Sequence, residues 1–171
     1  MKEKYSVNEI VITALGMALV FVATLFIKIP NPIDGYFNLG DGFIMLFASI
    51  LNPFCAFLVG GLGSALADVA GGYAYYFIWT LLIKGIEAFV IAQLFHRFGP
   101  KYKAGYYALG SVVMVTGYFF AKWFLKGSAV IALSGIPENI VQSVVGIVIA
   151  FVAYPIVRRA LERTKHLSSV Q

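Results

Sequence analysis

YYFIWTLLIKGIEAFVIAQLF, Tyr75 to Phe95, is as apolar as a membrane-spanning helix, yet it carries Lys84 and Glu87 near its middle. A helix needs about 20 apolar residues to cross a bilayer core. A charge in that core costs several kcal/mol unless it is paired or lines a wet cavity. Lys122 raises the same question further along the chain. Three ionisable residues inside spans imply a small polar pocket within a membrane protein.

Composition agrees with that class. The 171-residue chain is 60% hydrophobic and 12% charged, with a mean hydropathy of +0.85. A soluble domain carries about 25% charged residues, so the bilayer must be the solvent for most of this surface. The length suits one domain over residues 1–171. The lone Cys55 excludes an internal disulfide and a cysteine-based metal site, and no metal or cofactor is expected. Met1 to Glu9 is short, mixed in charge and without a small-residue cleavage site, so the first apolar run is expected to be retained.

Outward from Tyr75–Phe95, the other spans are expected at Ile10–Ile27, Leu39–Leu51, Phe54–Val69, Tyr106–Leu125 and Ile136–Val157. Pro30-Asn31-Pro32, Asn52-Pro53 and Gly71-Gly72 break the chain between them. The fold class is therefore an all-α membrane protein, a six-transmembrane-helix bundle. Its second and third spans are short, and are either poorly tilted or packed inside the bundle, where they need not match the bilayer. No internal repeat supports an inverted-repeat transporter. Alternating sides places Lys2, Lys4, Arg97, Lys101, Lys103, Arg158, Arg159, Arg163 and Lys165 on one side, nine against Lys28 and Lys126 on the other. The positive-inside rule then puts both termini in the cytoplasm. The net charge of +5 is thus an orientation signal, and no nucleic-acid partner is expected.

Placed by depth, the polar residues gather in the outer half. Asn38 and Asp41 open the second span, Asp68 closes the third, and Lys122 lies near the outer end of the fifth. Glu138, Asn139 and Gln142 fall in the first turns of the sixth. The inner halves are nearly all apolar, which is the profile of a receptor for a small molecule and not of a continuous pore. Tyr76, Thr80, Lys84 and Glu87 share one helix face, with Trp79 beside it. This stripe reads either as a ligand wall or as a self-neutralising pair, although a closed pair in lipid gains nothing over two leucines. Glu138 reads as a ligand group or as a helix-end acid behind Pro137. Asn139 and Gln142 have no such role. Tyr118 sits one turn from Lys122, which reads as a pocket cation or as a snorkelling side chain. Tyr36, Phe37, Tyr73, Tyr75 and Trp123 fit an interfacial aromatic belt. The loop from Lys28 to Asn38 is long enough to fold over the pocket as a lid. Ala14 and Ala18, flanking Gly16, and the Gly60–Ala67 run let helices approach closely. Ala14 and Ala18 suit either internal packing or a partner helix.

Ala14-x-x-x-Ala18, the Tyr36-Phe37-Asn38-Leu39-Gly40-Asp41 segment, the glycine-rich run from Gly60 to Asp68 and Pro137-Glu138-Asn139 occur in this order along the chain. In that order the chain resembles a substrate-binding S component of an energy-coupling factor vitamin transporter, in the branch of riboflavin-transporter-like and hydroxymethylpyrimidine-type members. The resemblance covers essentially the whole chain. It implies a multi-pass protein of the bacterial plasma membrane that binds a vitamin or precursor from outside. It implies partners: a transmembrane coupling protein, met by the Ala14 and Ala18 face, and two cytoplasmic ATPases. It also implies toppling in the membrane to carry the ligand inward. The family pocket falls on Tyr36, Asn38, Trp79, Lys84, Glu87, Tyr118, Lys122, Glu138, Asn139 and Gln142. The chain has no Gly-x-x-x-x-Gly-Lys-Ser/Thr loop, so ATP hydrolysis belongs to partners. The mixed acids, amines and aromatics suit a small, flat, roughly neutral heteroaromatic, such as a hydroxymethylpyrimidine or a pyridoxine-like ring. Riboflavin or a queuosine precursor remains an alternative, as does a stand-alone facilitator. A structural membrane subunit without a ligand is the reading from a different class. An intramembrane enzyme is disfavoured, because His96 and His166 lie at cytoplasmic edges away from the acids.

Overall fold

The structure, a computed structural model, describes residues 6–30 and 36–168. Lys2 and Lys4, and the centre of the expected lid loop with Asp34 and Gly35, lie outside the described residues. The same holds for the side chains of Lys165 and His166.

Among the described residues the protein is helical apart from one small ribbon. Helix α1 (Val7–Phe26) leads into strand β1 (Lys28–Pro30), which pairs antiparallel with β2 (Tyr36–Asn38). Helices α2 (Gly40–Ala48) and α3 (Pro53–Ala70) follow. A 3-10 turn (Ala74–Tyr76) opens α4 (Phe77–Phe98), and another (Gly99–Tyr102) leads to α5 (Lys103–Lys126). A short α6 (Ala129–Leu133) precedes α7 (Ile136–Ser168). The chain is an all-α membrane protein. The stretches Val7–Phe26, Pro53–Ala70, Ala74–Lys126 and Ala129–Arg163 are long and apolar enough to cross, and the third of them holds both α4 and α5.

Local chemistry sets the boundaries. Ser6 caps α1 by accepting the Glu9 N–H at 3.2 Å. Asn52 caps α3 by accepting the Cys55 N–H at 2.9 Å, with Pro53 in the first turn where no donor is lost. Gly127 ends α5 in the left-handed region at φ 65°, a conformation that strains any residue with a Cβ.

The expected second span differs from what forms. Its helical part is the nine residues of α2, which rise only about 14 Å, short of a bilayer core of about 30 Å. Eight of those nine residues are buried by protein, so α2 has no lipid to match. The last helix runs past the expected Val157 to Ser168. The loop expected as a lid carries the β1–β2 pairing, with Lys28 opposite Asn38.

Contacts define two ends of the bundle. The Asn52 amide donates to the Glu9 carboxylate, joining the start of α3 to the start of α1. Lys28 donates to the Gly71 carbonyl at 3.5 Å, joining their far ends. Helices α1 and α3 therefore run parallel, and the chain between them must return along the bundle through α2. Helix α4 runs antiparallel to α3 in very close contact. A Cβ on Gly60 would lie 2.5 Å from the Lys84 carbonyl oxygen, and one on Gly61 2.7 Å from that of Leu81. Only glycine permits that approach, which brings Lys84 to the bundle axis. Gly117 packs on Ile83 and Gly110 on Ile91, so α5 is antiparallel to α4. Glu9, Asn52, His96, Pro100 and Arg158 surround one crevice, which places α1's start and the distal part of α7 at the same end. The core near that end is apolar, built on Val20, Ile44–Ala48, Ile91, Phe95, Tyr107 and Tyr154.

Candidate functional site

The site is built at the opposite end, where β2 enters α2. Asn38 Oδ1 accepts the Gly40 N–H at 2.8 Å and so satisfies an orphan donor at the start of α2. This fixes the Asn38 side chain with its amide turned to α7. Asn38 N and Nδ2 donate to Gln142 Oε1 at 2.9 and 3.1 Å. Gln142 Nε2 donates in turn to Asp41 Oδ2 at 2.9 Å. Lys84 Nζ donates to the other Asp41 oxygen and lies 3.3 Å from Glu87 Oε2, one turn on along α4. The latter contact is an ion pair without hydrogen-bond alignment, so both Glu87 oxygens are buried without a hydrogen-bond donor. Asp41 and Glu87 are 0% exposed and Lys84 is 2% exposed. Lys84 also lies 5.5 Å from the Tyr118 ring centroid.

Above this network lies a cavity of about 60 Å³, lined by β2, α3, α4, α5, α6 and α7. Tyr36, Asn38, Tyr118, Lys122, Glu138, Asn139 and Gln142 line it, as do Asp68, Tyr73, Tyr76, Thr80, Ala132 and Gly135. The Tyr36 hydroxyl donates to Asp68 Oδ1. Burial, and then the adjacent Asp68 carboxylate, raise the Tyr36 phenol above its ordinary range, so it stays a donor at working pH. Tyr36 and Tyr73 stack obliquely at 4.9 Å, with Lys28 5.3 and 5.7 Å from their ring centroids. Thr80 and Tyr118 share a hydroxyl–hydroxyl bond of 3.0 Å across α4 and α5.

Seven of the ten residues expected in a pocket thus surround one cavity. Lys84 stands behind its floor, joined to Gln142 through Asp41, and Glu87 lies beyond Lys84. Trp79 is outside the lining and packs on Phe124 at 5.4 Å. Asp41 and Asp68 were legible as outer-half acids, and Thr80 and Tyr76 as part of the α4 stripe. What single-chain spacing did not reveal is that α3 contributes a wall, and that Ala132 and Gly135 close the rim. Ala14 and Ala18 both face outward from α1, whereas Gly16 between them packs inward on Phe47 and Val59.

Among the described residues, the cavity offers aromatic faces, hydroxyls, three carboxamides, carboxyl groups and one amine, and its lining holds no histidine or cysteine. This is recognition chemistry for a small, flat, polar molecule. The wider crevice at the other end, about 380 Å³, is open and lies beyond the apolar core.

Fold and site together define a multi-pass membrane protein with a small polar chamber near one end. Residues 4–159 match the family described as ECF-type riboflavin transporter, S component, and the chain belongs to that family. It is similar to an uncharacterized protein of Pyrococcus woesei, 41% identical over 133 residues, covering 76% of this chain and 88% of the other. It is also similar to the thiamine precursor transporter HmpT of Lactococcus lactis subsp. cremoris, 29% identical over 156 residues and covering 90% of each. A UPF0397 protein of Leuconostoc citreum is 31% identical over 101 residues, 58% of this chain and 50% of the other. The protein is a membrane-embedded transport component of the vitamin-uptake class.

Proposed function

We propose that this chain is the high-affinity substrate-binding subunit of an ATP-driven energy-coupling factor importer, with a hydroxymethylpyrimidine- or pyridoxine-like ring as its substrate. The observation that carries this reading is the cavity's mixed lining above a closed floor. Tyr36, Tyr73 and Tyr118 offer ring faces, while Asn38, Asn139 and Gln142 offer paired donors and acceptors. Asn38, Gln142, Asp41 and Lys84 then close the way inward. A substrate held there needs a movement of the whole subunit to reach the other side, which argues against a stand-alone facilitator.

In this reading both termini are cytoplasmic, α2 with its flanks serves as the second of six passages, and the cavity opens outward. Ala14 and Ala18 form the smooth face that receives a transmembrane coupling protein, and two cytoplasmic ATPases supply the energy. Lys122, Glu138 and Asn139 contact the ligand directly. Lys84 acts from behind by holding Asp41 and through it Gln142, and Glu87 acts by pairing with Lys84. Riboflavin is the second reading, favoured by the family's description.

The test is a titration of the detergent-purified protein with a panel of vitamins and precursors, followed by tryptophan fluorescence. Trp79 and Trp123 flank the α4–α5 side of the site. Saturable quenching by a substituted pyrimidine or pyridine is expected. Quenching by riboflavin alone would select the second reading. Folded protein that binds nothing in the panel would leave the structural-subunit reading standing.

A further inference from the structure

Asp68 is the one acid that reaches the cavity from α3. It is 5% exposed, and its two oxygens are unequal. Oδ1 accepts from the Tyr36 hydroxyl. Oδ2 is buried and has no hydrogen-bond partner. A buried acceptor without a donor costs about 1–3 kcal/mol, and such groups are few in folded proteins. Of the nearby hydroxyls, Tyr36 is committed to Oδ1, whereas Thr80 and Tyr118 share a single bond at 3.0 Å and Thr80 is close enough to act on the Asp68 carboxyl. What Oδ2 lacks, a ligand in the cavity can supply.

The charge balance around the cavity points the same way. Asp68 and Glu138 line it with Lys122, while Asp41 and Glu87 lie below with Lys84. With Lys28 over the Tyr36 and Tyr73 rings, four carboxyl groups thus stand against three ammonium groups. Such a site favours a ligand that donates hydrogen bonds or carries partial positive charge, and it disfavours an anion.

We propose that Asp68 Oδ2 is the specificity-determining acceptor for an exocyclic amine on the substrate's ring, so that the protein selects an amino-substituted heteroaromatic over its oxo counterpart. The assignment rests on the substrate-binding reading above. Tyr36 fixes the carboxyl rotamer by holding Oδ1, which leaves Oδ2 as the oxygen without a donor. An oxo group in the same place would set two acceptors against each other. A site built to hydrogen-bond a substrate group rejects the analogue lacking it far more strongly than an apolar pocket rejects a methylene.

The experiment compares 4-amino-5-hydroxymethyl-2-methylpyrimidine with its 4-oxo analogue by calorimetric titration of the purified full chain. The wild type is expected to prefer the amine by about 100-fold or more. Asp68→Asn keeps an oxygen for Tyr36 but presents an amide donor to the ligand, so the preference should invert toward the oxo compound. Equal wild-type affinities overturn the assignment, as does a folded Asp68→Asn protein that keeps the preference for the amine. The wild-type ratio decides alone if the variant does not fold. Binding of another vitamin with neither pyrimidine bound also overturns the assignment, yet leaves the binding-subunit reading in place. No binding across the whole panel removes both.

Discussion

Lys84 holds two carboxylates that no solvent reaches. Asp41 and Glu87 are fully buried, and the lysine is the cation between them. Removing one partner of a buried ion network leaves charge uncompensated and costs about 3–5 kcal/mol. Lys84→Met should therefore lower the thermal midpoint sharply in detergent. The triple change Lys84→Met with Asp41→Asn and Glu87→Gln should recover most of that loss, because no net charge then remains buried. An unchanged midpoint for Lys84→Met would mean that the cluster carries no stability. Gln142 tests the relay above it. Gln142→Leu removes the bridge between Asn38 and Asp41 and presents an apolar surface to the cavity. We expect a folded protein whose ligand affinity falls about tenfold or more, because the three hydrogen bonds that fix this wall of the cavity are lost. Retained affinity would place the ligand elsewhere. At this scale the sequence spoke clearly about Lys84, Glu87 and Lys122, because a charge among leucines and isoleucines has few explanations. It was silent on who pairs with Lys84. Glu87 is three residues away and was visible as a neighbour, whereas Asp41 is forty-three residues away. Only the crossing of α2 over α4 brings them together.

Among the elements, α3 and α4 are the hinge of the design, because their glycine-mediated approach sets where Lys84 and Thr80 sit. Gly60→Ala would put a methyl 2.5 Å from the Lys84 carbonyl oxygen, and backbone cannot step aside as a side chain can. We expect a loss of about 1–3 kcal/mol, the usual range for overpacking, together with weaker ligand binding as α4 shifts. Gly105→Ala on α5 is the control. Its Cβ would meet nothing within 4 Å, and alanine is the better helix former, so stability should hold or rise. Equal midpoints for the two variants would show that the close approach is not needed. Helix α1 makes the opposite kind of prediction. Ala14→Leu with Ala18→Leu alters an outward face, so ligand binding by the isolated chain should be unchanged while uptake in cells is lost. The long helices were legible as apolar runs between proline and glycine breaks. The short α2 was not, since Leu39–Leu51 is mostly apolar and nothing in the run after Asp41 separates a helix buried by protein from one buried by lipid. The β1–β2 ribbon was also hidden. Its strands are three residues each, and they pair by backbone groups that leave no periodic trace.

At the scale of the whole molecule, uptake requires that the cavity face outward. The geometry already joins the two chain ends: Glu9 near the start of α1 and Arg158 in α7 border the same crevice, while the cavity lies at the other end of the bundle. Charge then orients the whole. Arg97, Lys101, Lys103, Arg158, Arg159 and Arg163 belong to the crevice end, against Lys28 and Lys126 at the cavity end. Basic residues are retained on the cytoplasmic side during insertion. Cys55 is buried and can be replaced by serine to give a silent background. In that background, Lys126→Cys should react with a membrane-impermeant maleimide on intact cells. Lys101→Cys should react only after permeabilisation. The labelling pattern reads topology without reference to any ligand, so it separates two ways of failing. Reversed labelling would turn the cavity toward the cytoplasm and rule out capture of an external vitamin, even if purified protein bound one tightly. The expected pattern with no uptake would instead move the fault to the coupling face on α1. In the proposed function, orientation and recognition are thus independent requirements on one short chain, the first assigned to charges at the ends of helices and the second to polar groups hidden between them.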